Sequence, residues 1–214
     1  MAEQGASPRR RAARPSRDDR DVREEIVTAT RRLLDERRFD ELSVADILAA
    51  ASVARGTFYF YFADKNEVLA ELVRRAVAHG HQAAEPWLAD SGDSRDAVRH
   101  GIREGARLWR AEAAVLRAIV ENWRSDEKLT ELWLQLMGGF TTATAERIAA
   151  DDRSDPAVDN DALAATLTWL GERLYYLAAV GVEPFTDEET LVDTLTHVWT
   201  SVLSPGPSVP EPGE

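Results

Sequence analysis

SVADILAAASVARGTFYFYFADKNEVLAE, residues 43–71, decides the fold. Ser43 stands where a helix amino cap belongs, and Asp46, three residues on, can complete an acidic version of the capping box. Val44, Ile47, Leu48 and Ala51 fall at i, i+3, i+4 and i+7, the apolar stripe of one short helix. Ser52, Val53 and Ala54 form a tight joint. A second short helix, from Arg55 to about Phe60, carries Gly56 and Thr57 and then enters the aromatic run Phe58, Tyr59, Phe60, Tyr61 and Phe62. Asp64 can cap a third helix that begins at Lys65, with Glu67 in its first turn. This is a helix-turn-helix pattern.

A helix that reads base edges needs small or flat side chains where it enters the groove and phosphate anchors at its flanks. Gly56 and Thr57 meet the first need, and Thr57 can also bond a phosphate or touch a thymine methyl. Arg55 can reach guanine or the backbone, Tyr59 and Tyr61 offer phenolic donors, and Lys65 sits at a helix amino terminus that favours an anion. Ser43 joins them as a candidate DNA-binding residue. Some of the aromatics can equally be packing residues of the small core.

Working outward, residues 1–18 are read as a disordered basic arm, since Arg9, Arg10, Arg11, Arg14 and Arg17 are interrupted by Pro8 and Pro15. A first helix is expected over about 19–37, with Val22, Ile26, Ala29, Leu33 and Leu34 as its stripe. Phe39 and Leu42 should seal a three-helix core with Ile47, Leu48, Val53 and Phe58. A fourth helix from Lys65 turns Val68, Leu69, Leu72, Val73, Ala76 and Val77 inward and reaches Gly80 or beyond. A loop at 90–94 is the expected seam. Helices follow over about 95–110, 111–123, 126–150 and 161–180, with a polar loop at 151–161. Thr186 and Glu189 then suggest a capping box on a last helix. The predicted class is all-α, with about nine helices. The expected division is a helix-turn-helix head at 19–64, a helical ligand-binding and dimerisation body at 65–203, and a disordered tail at 204–214.

The net charge of −12 at first argues against nucleic acid, but its distribution does not: residues 1–80 hold 15 Lys and Arg against 14 Asp and Glu, and the rest hold 11 against 24. There is no cysteine, which excludes disulfide, zinc-thiolate and thiol-nucleophile chemistry. No apolar run approaches the ~20 residues of a membrane span, and the Arg-rich amino terminus lacks the apolar core of a secretory signal. A cytoplasmic location is therefore expected. His79, His81, His100 and His197 have no metal-binding spacing, and no metal or cofactor is expected. No catalytic residue is assigned: Ser-His-Asp order, HExxH and a Gly-rich phosphate loop are all missing, so an enzyme is not the reading.

The residues from Val53 to Leu69 resemble the TetR family of bacterial transcriptional regulators. The resemblance implies DNA contacts at Arg55, Gly56, Thr57, Tyr59, Tyr61 and Lys65, with Phe58 and Phe62 in the core. Where Ser52 stands the family commonly has Gly, and where Ala54 stands it commonly has a Ser cap. The body resembles the ethionamide-resistance repressor branch of the family at Gly101-Ile102, Glu131-Leu132-Trp133, Gly171-Glu172-Arg173 and 193–199. That likeness implies a long apolar tunnel lined at Val98, Gly105, Trp109, Trp133, Met137, Phe140, Thr144, Thr168, Gly171, Tyr176 and Trp199. The branch carries asparagines at the positions of Thr168 and Gly171, so a different, neutral, elongated hydrophobic effector is expected here. Trp133, Met137, Phe140 and Thr144 share one helix face, which alone fits either a pocket wall or an aromatic core. Glu172 and Arg173 can be a buried ion pair or solvated charges.

The expected function is a homodimeric repressor, paired through its last two helices, that a hydrophobic small molecule releases from a palindromic double-stranded operator. The last two helices carry apolar residues on more than one side, and in the resembled family they pair across a two-fold axis. The alternative is a DNA-binding regulator whose body holds a protein partner or no ligand. A small-molecule enzyme or carrier is the third reading.

Overall fold

In the computed structural model, residues 17–89, 95–149 and 158–203 are described. Within them stand α1 (Arg17–Glu36), a 3-10 turn (Phe39–Glu41), α2 (Val44–Ala51), α3 (Arg55–Tyr61) and α4 (Lys65–Ala89). The body adds α5 (Arg95–Ala111), α6 (Ala113–Asn122), a 3-10 turn (Trp123–Ser125), α7 (Glu127–Ala149), α8 (Asn160–Ala179) and α9 (Glu188–Leu203). Among the described residues there are nine α-helices and no strand, so the all-α expectation holds. The expected arm up to residue 16, the seam at 90–94, most of the polar loop at 151–161 and the tail lie outside the described residues.

The head forms around side chains whose spacing leaves no other inward face. Ile26, Phe39, Leu42, Ile47 and Phe58 are buried together, with Leu48 and Val53 packed against them from the rim. Phe58 and Phe62, one helical turn apart, fix which side of α3 faces in. Ser43 Oγ accepts the Asp46 amide at 3.2 Å and the Asp46 carboxylate accepts the Ser43 amide at 2.8 Å, the reciprocal capping box. The Ser43 hydroxyl also donates to that carboxylate at 2.5 Å, and this bond first, then the Ser43 amide, with Arg37 alongside, holds the Asp46 carboxyl at about 2. Ser52 meets the demand of the joint in the left-handed region, at φ 55° and ψ 36°. Ala54 opens α3 without a side-chain cap.

Asp64 caps α4 by accepting the Glu67 amide at 3.0 Å, and Glu67 returns a bond to the Ala63 amide at 2.6 Å. The expected apolar side of α4, from Val68 to Val77, is buried throughout. The helix passes through Gly80 and Pro86 and ends only at Ala89; proline removes a donor there, close to the end of the helix. Asp159 caps α8, accepting the Asp161 and Ala162 amides.

One expectation is corrected at α9. Asp187, not Thr186, is the capping residue: its carboxylate accepts the Thr190 amide at 2.8 Å. Glu189 does not close a box with Thr186. Its carboxylate is turned to Arg99 at 2.7 Å and Arg103 at 2.9 Å on α5, and Asp193 also pairs with Arg99.

Two apolar clusters result. The first runs from α1 through the head and α4 into Trp109, α6 and the first half of α7. The second joins Val98, Ile102 and Ala106 of α5, the end of α7, α8 and α9. Polar ties cross from head to body at Arg31–Glu112 (2.6 Å), Arg38–Glu121 (3.6 Å), Asn66–Asp126 (3.1 Å) and Lys128–Glu67 (3.1 Å).

A non-glycine residue in the left-handed region is strained, and glycine relieves that strain at the cost of a more flexible unfolded chain. Ser52→Gly should raise stability by about 0.5–1 kcal/mol, read as a higher urea midpoint with unchanged slope. A second expectation concerns acid. Hydrogen bonds first from Arg23 and then from Arg75 hold the Glu71 carboxyl at about 2, against the opposing effect of burial. Its contribution is present above the ordinary 4.5 and lost as pH falls towards 2. Glu71→Gln should lower stability at pH 7 and flatten the loss of stability between those two values.

Candidate nucleic-acid interface and body cavity

With Phe58 and Phe62 turned inward, the opposite side of α3 is fixed by helical geometry. Arg55 and Tyr59 lie one turn apart there, as do Gly56 and Phe60. Arg55 and Gly56 are exposed, Tyr59 is 49% exposed and Phe60 77%. Arg55 has no ion pair among the described residues. A Cβ built at Gly56 would meet nothing within 4 Å, so internal packing does not call for glycine there. Thr57 and Tyr61 are half-buried at the edges of this face, and the Tyr61 ring stands edge-on to Phe60 at 4.9 Å.

Two of the candidate DNA-binding side chains are already committed within the chain. The Ser43 hydroxyl donates to Asp46 at 2.5 Å and accepts from its amide. The Lys65 ammonium is turned back under the head. It donates to the carbonyls of Leu42 at 2.7 Å, Phe39 at 2.9 Å and Asp40 at 3.5 Å, and lies 4.6 Å from the centre of the Phe39 ring. Those three carbonyls match the three donors an ammonium has. Burial pulls the Lys65 pKa below its ordinary value. Phe60 was not among the expected DNA-binding residues, although two 100° steps from the buried Phe58 already place residue 60 outside.

In the body, a cavity of about 180 Å³ lies between α4, α5, α6, α7, α8 and α9. Val98, Gly105, Trp109, Trp133, Met137, Phe140, Thr144, Thr168, Gly171 and Trp199 all border it. Tyr176 does not. Its hydroxyl is 3.2 Å from Glu121 and its ring is covered by the Arg173 guanidinium at 5.1 Å. Tyr175 lines the cavity in its place, with Ile102, Leu167 and Glu172 as further wall residues. The spacing held the signal: Thr168, Gly171, Glu172 and Tyr175 are i, i+3, i+4 and i+7 on α8.

The wall is apolar with a few polar points. Trp133 is 3% exposed and Thr168 8%, and neither the indole Nε1 nor the threonine Oγ1 has a hydrogen-bond partner among the described residues. The Glu172 side chain is buried, and Arg173, 3.9 Å away, is more than half exposed. The pair is thus half buried and half solvated, and burial pushes the Glu172 carboxyl above the ordinary carboxylate range. Tyr175 donates its hydroxyl to the Ile102 carbonyl at 2.9 Å and stacks on Trp109 with ring centres 6.3 Å apart. The cavity sits where the two clusters meet. Val77, Trp109, Leu116, Trp133 and Met137 belong to the one containing the head; Val98, Ile102 and Leu167 belong to the other. Among the described residues no group of three or more His, Asp or Glu could hold a metal, and no helix is long and apolar enough to cross a membrane.

Residues 26–72 match the model described as bacterial regulatory proteins of the tetR family, and residues 98–204 match the C-terminal domain of the transcriptional regulator EthR. The chain is 36% identical to the HTH-type transcriptional regulator EthR of Mycolicibacterium smegmatis, over 94% of each chain. It is 32% identical to the protein of the same name from Mycobacterium tuberculosis, over 94% of this chain and 95% of that one. A TetR-family transcriptional regulator from Syntrophomonas wolfei shares the fold, with a TM-score of 0.70 and 17% identity over 90% of this chain and all of that chain. The matched families and relatives are transcriptional regulators rather than enzymes. The chain is a DNA-binding transcriptional regulator that belongs to the TetR family and carries an EthR-type C-terminal domain.

Proposed function

We propose that this regulator is a ligand-responsive repressor, acting in the cytoplasm as a dimer that leaves a palindromic operator when a small, mostly apolar molecule enters the body. The observation that carries this reading is the position of the cavity. It is bounded by both apolar clusters, one of which contains the head. A molecule held there packs against Val77 of α4, the helix whose amino end is built into the helix-turn-helix core. The division of labour follows the domains expected from sequence: residues 19–64 read DNA, and 65–203 hold the effector and the second subunit.

Dimerisation through α8 and α9 is supported by their surface. Leu163, Leu170, Leu174, Val198 and Val202 are only partly covered within one chain, and Val180 and Val182 beyond α8 are exposed. A two-fold axis through this surface would present two α3 helices to one side of the duplex, as palindromic half-sites require. Arg55, Gly56, Thr57, Tyr59 and Phe60 are the groups we assign to the major groove, with Tyr61 at the flank. The effector we assign is neutral, because an anion would meet the Glu172 carboxyl. It carries at least one acceptor suited to the Trp133 N–H and the Thr168 hydroxyl.

Arg55→Ala, an exposed change that leaves the core alone, should weaken binding to the operator by about 1–3 kcal/mol. Fluorescence anisotropy with DNA from upstream of the gene measures this, and equal binding of wild type to scrambled DNA of the same length would refute the repressor reading. The cavity has its own test. Gly171 has room for a side chain, since a Cβ there meets only Tyr175 at 3.7 Å. Gly171→Leu should fill the space, retain operator binding and lose the release of DNA by hydrophobic compounds that act on wild type.

A further inference from the structure

α7 passes from one apolar cluster to the other along its length. Leu129, Leu132, Trp133 and Met137 belong to the cluster that contains the head. Ala145 and Ile148 belong to the cluster built with α8 and α9. Between them stand Gly138 and Gly139, both exposed in the middle of a helix of 23 residues. Glycine is the poorest helix former apart from proline, because it loses the most backbone freedom on folding. Packing does not call for it here: a Cβ built at either position would meet nothing within 4 Å among the described residues. We infer that Gly138 and Gly139 are a hinge in α7, at which the head-bearing half of the molecule turns against the half built on α8 and α9, and which sets the spacing of the two heads in a dimer.

The surroundings of the pair favour a bend. The Thr141 hydroxyl donates to the Met137 carbonyl at 3.0 Å, a bond that reaches across both glycines. A hydroxyl bonded back to residue i−4 tends to bend a helix, and side chains that enter the carbonyl ladder are among the known causes of kinks. The bend also has room, where a close-packed interior would resist it. The inner cavity, of about 180 Å³, lies against Met137 and Phe140. An open groove runs outside, past Gly138, Thr141 and Thr142.

The head-side arm of the hinge is anchored at its far end. Asp126 accepts from the Asn66 amide group and Lys128 donates to Glu67, each at 3.1 Å, so the start of α7 is tied to the first turn of α4. α7 rises about 16 Å from Glu127 to Gly138. A bend of about 20° would therefore move that end by about 6 Å. This exceeds the length of a hydrogen bond, so straight and bent forms would present α3 differently to a duplex.

The test uses the full-length chain, which has no cysteine. Asp35→Cys and Glu146→Cys, both at exposed positions, place one spin label on α1 and one on the far half of α7. Labelled chain is diluted with unlabelled chain, so that pulsed electron resonance reads distances within one subunit. With the glycines in place, the distance distribution should be about 6 Å broader than in Gly138→Ala/Gly139→Ala. Equal widths overturn the hinge. The use made of it is read by gel shift on a palindromic operator lengthened by one base pair between its half-sites, and this arm rests on the dimeric reading given above. Wild type should bind the lengthened site about tenfold better than the alanine variant does, a usual size for coupled sites, while both bind the unaltered site alike. An equal loss in the two proteins overturns the role in head spacing. If wild type binds operator and scrambled DNA equally, the repressor reading falls, and the label distances still decide the hinge.

Discussion

The constraint on which the structure depends is that one helix serves two cores. The amino end of α4 is capped by Asp64 and buried against Phe39, Phe58 and Phe62, where it completes the small helix-turn-helix core. Its middle carries Val73, Ala76 and Val77 into the body. The nine steps from Val68 to Val77 rise about 14 Å. That short stretch separates the packing of the head from the wall of the inner cavity. The three-helix head is too small to bury much surface alone. Its stability is therefore bound up with the body.

Much of this was legible before the fold was known, and the reasons are local. Apolar spacing along α1, α2 and α4 named the buried faces, because helical geometry leaves one inward side once a few large residues are set. Caps at Ser43 and Asp64 were readable from residues three or four apart. The inner cavity was legible from a family likeness and a helix face together, and ten of its eleven named lining positions do border one space. What was not legible depends on partners distant in sequence. Lys65 stands at a helix amino terminus, where an anion is a natural guest, yet the carbonyls of residues 39–42 reach its ammonium first. Glu189 had the spacing of a capping box with Thr186, but arginines on α5, about ninety positions earlier, claim its carboxylate.

The choice between Tyr175 and Tyr176 shows where likeness fails and geometry succeeds. Two adjacent tyrosines on a helix point about 100° apart, so only one can face a given cavity. Thr168 and Gly171 fix that direction, and counting on by helical steps gives Tyr175. Tyr176 is instead directed to Glu121, whose carboxylate also faces Arg38 at the head. The adjacent pair thus divides two tasks: one ring walls the cavity, and the other touches the polar contacts between body and head.

Those contacts raise the question of what would carry a signal from cavity to DNA. Exposed ion pairs are worth about 0–1 kcal/mol each, and Arg38–Glu121, at 3.6 Å with the arginine half exposed, belongs to that class. Burying one large apolar side chain is worth about 1.5–3 kcal/mol, and α4 buries seven apolar residues between Val68 and Val77. Coupling between an effector and DNA typically amounts to about 1–3 kcal/mol, more than one surface pair supplies and no more than a modest repacking along α4 supplies. Under the proposed effector response, the polar ties would set the register of head on body, while the packing of Val77 and its neighbours would set the free energy. A regulator built this way would respond to the shape and volume of what fills its body more than to the charge that it brings.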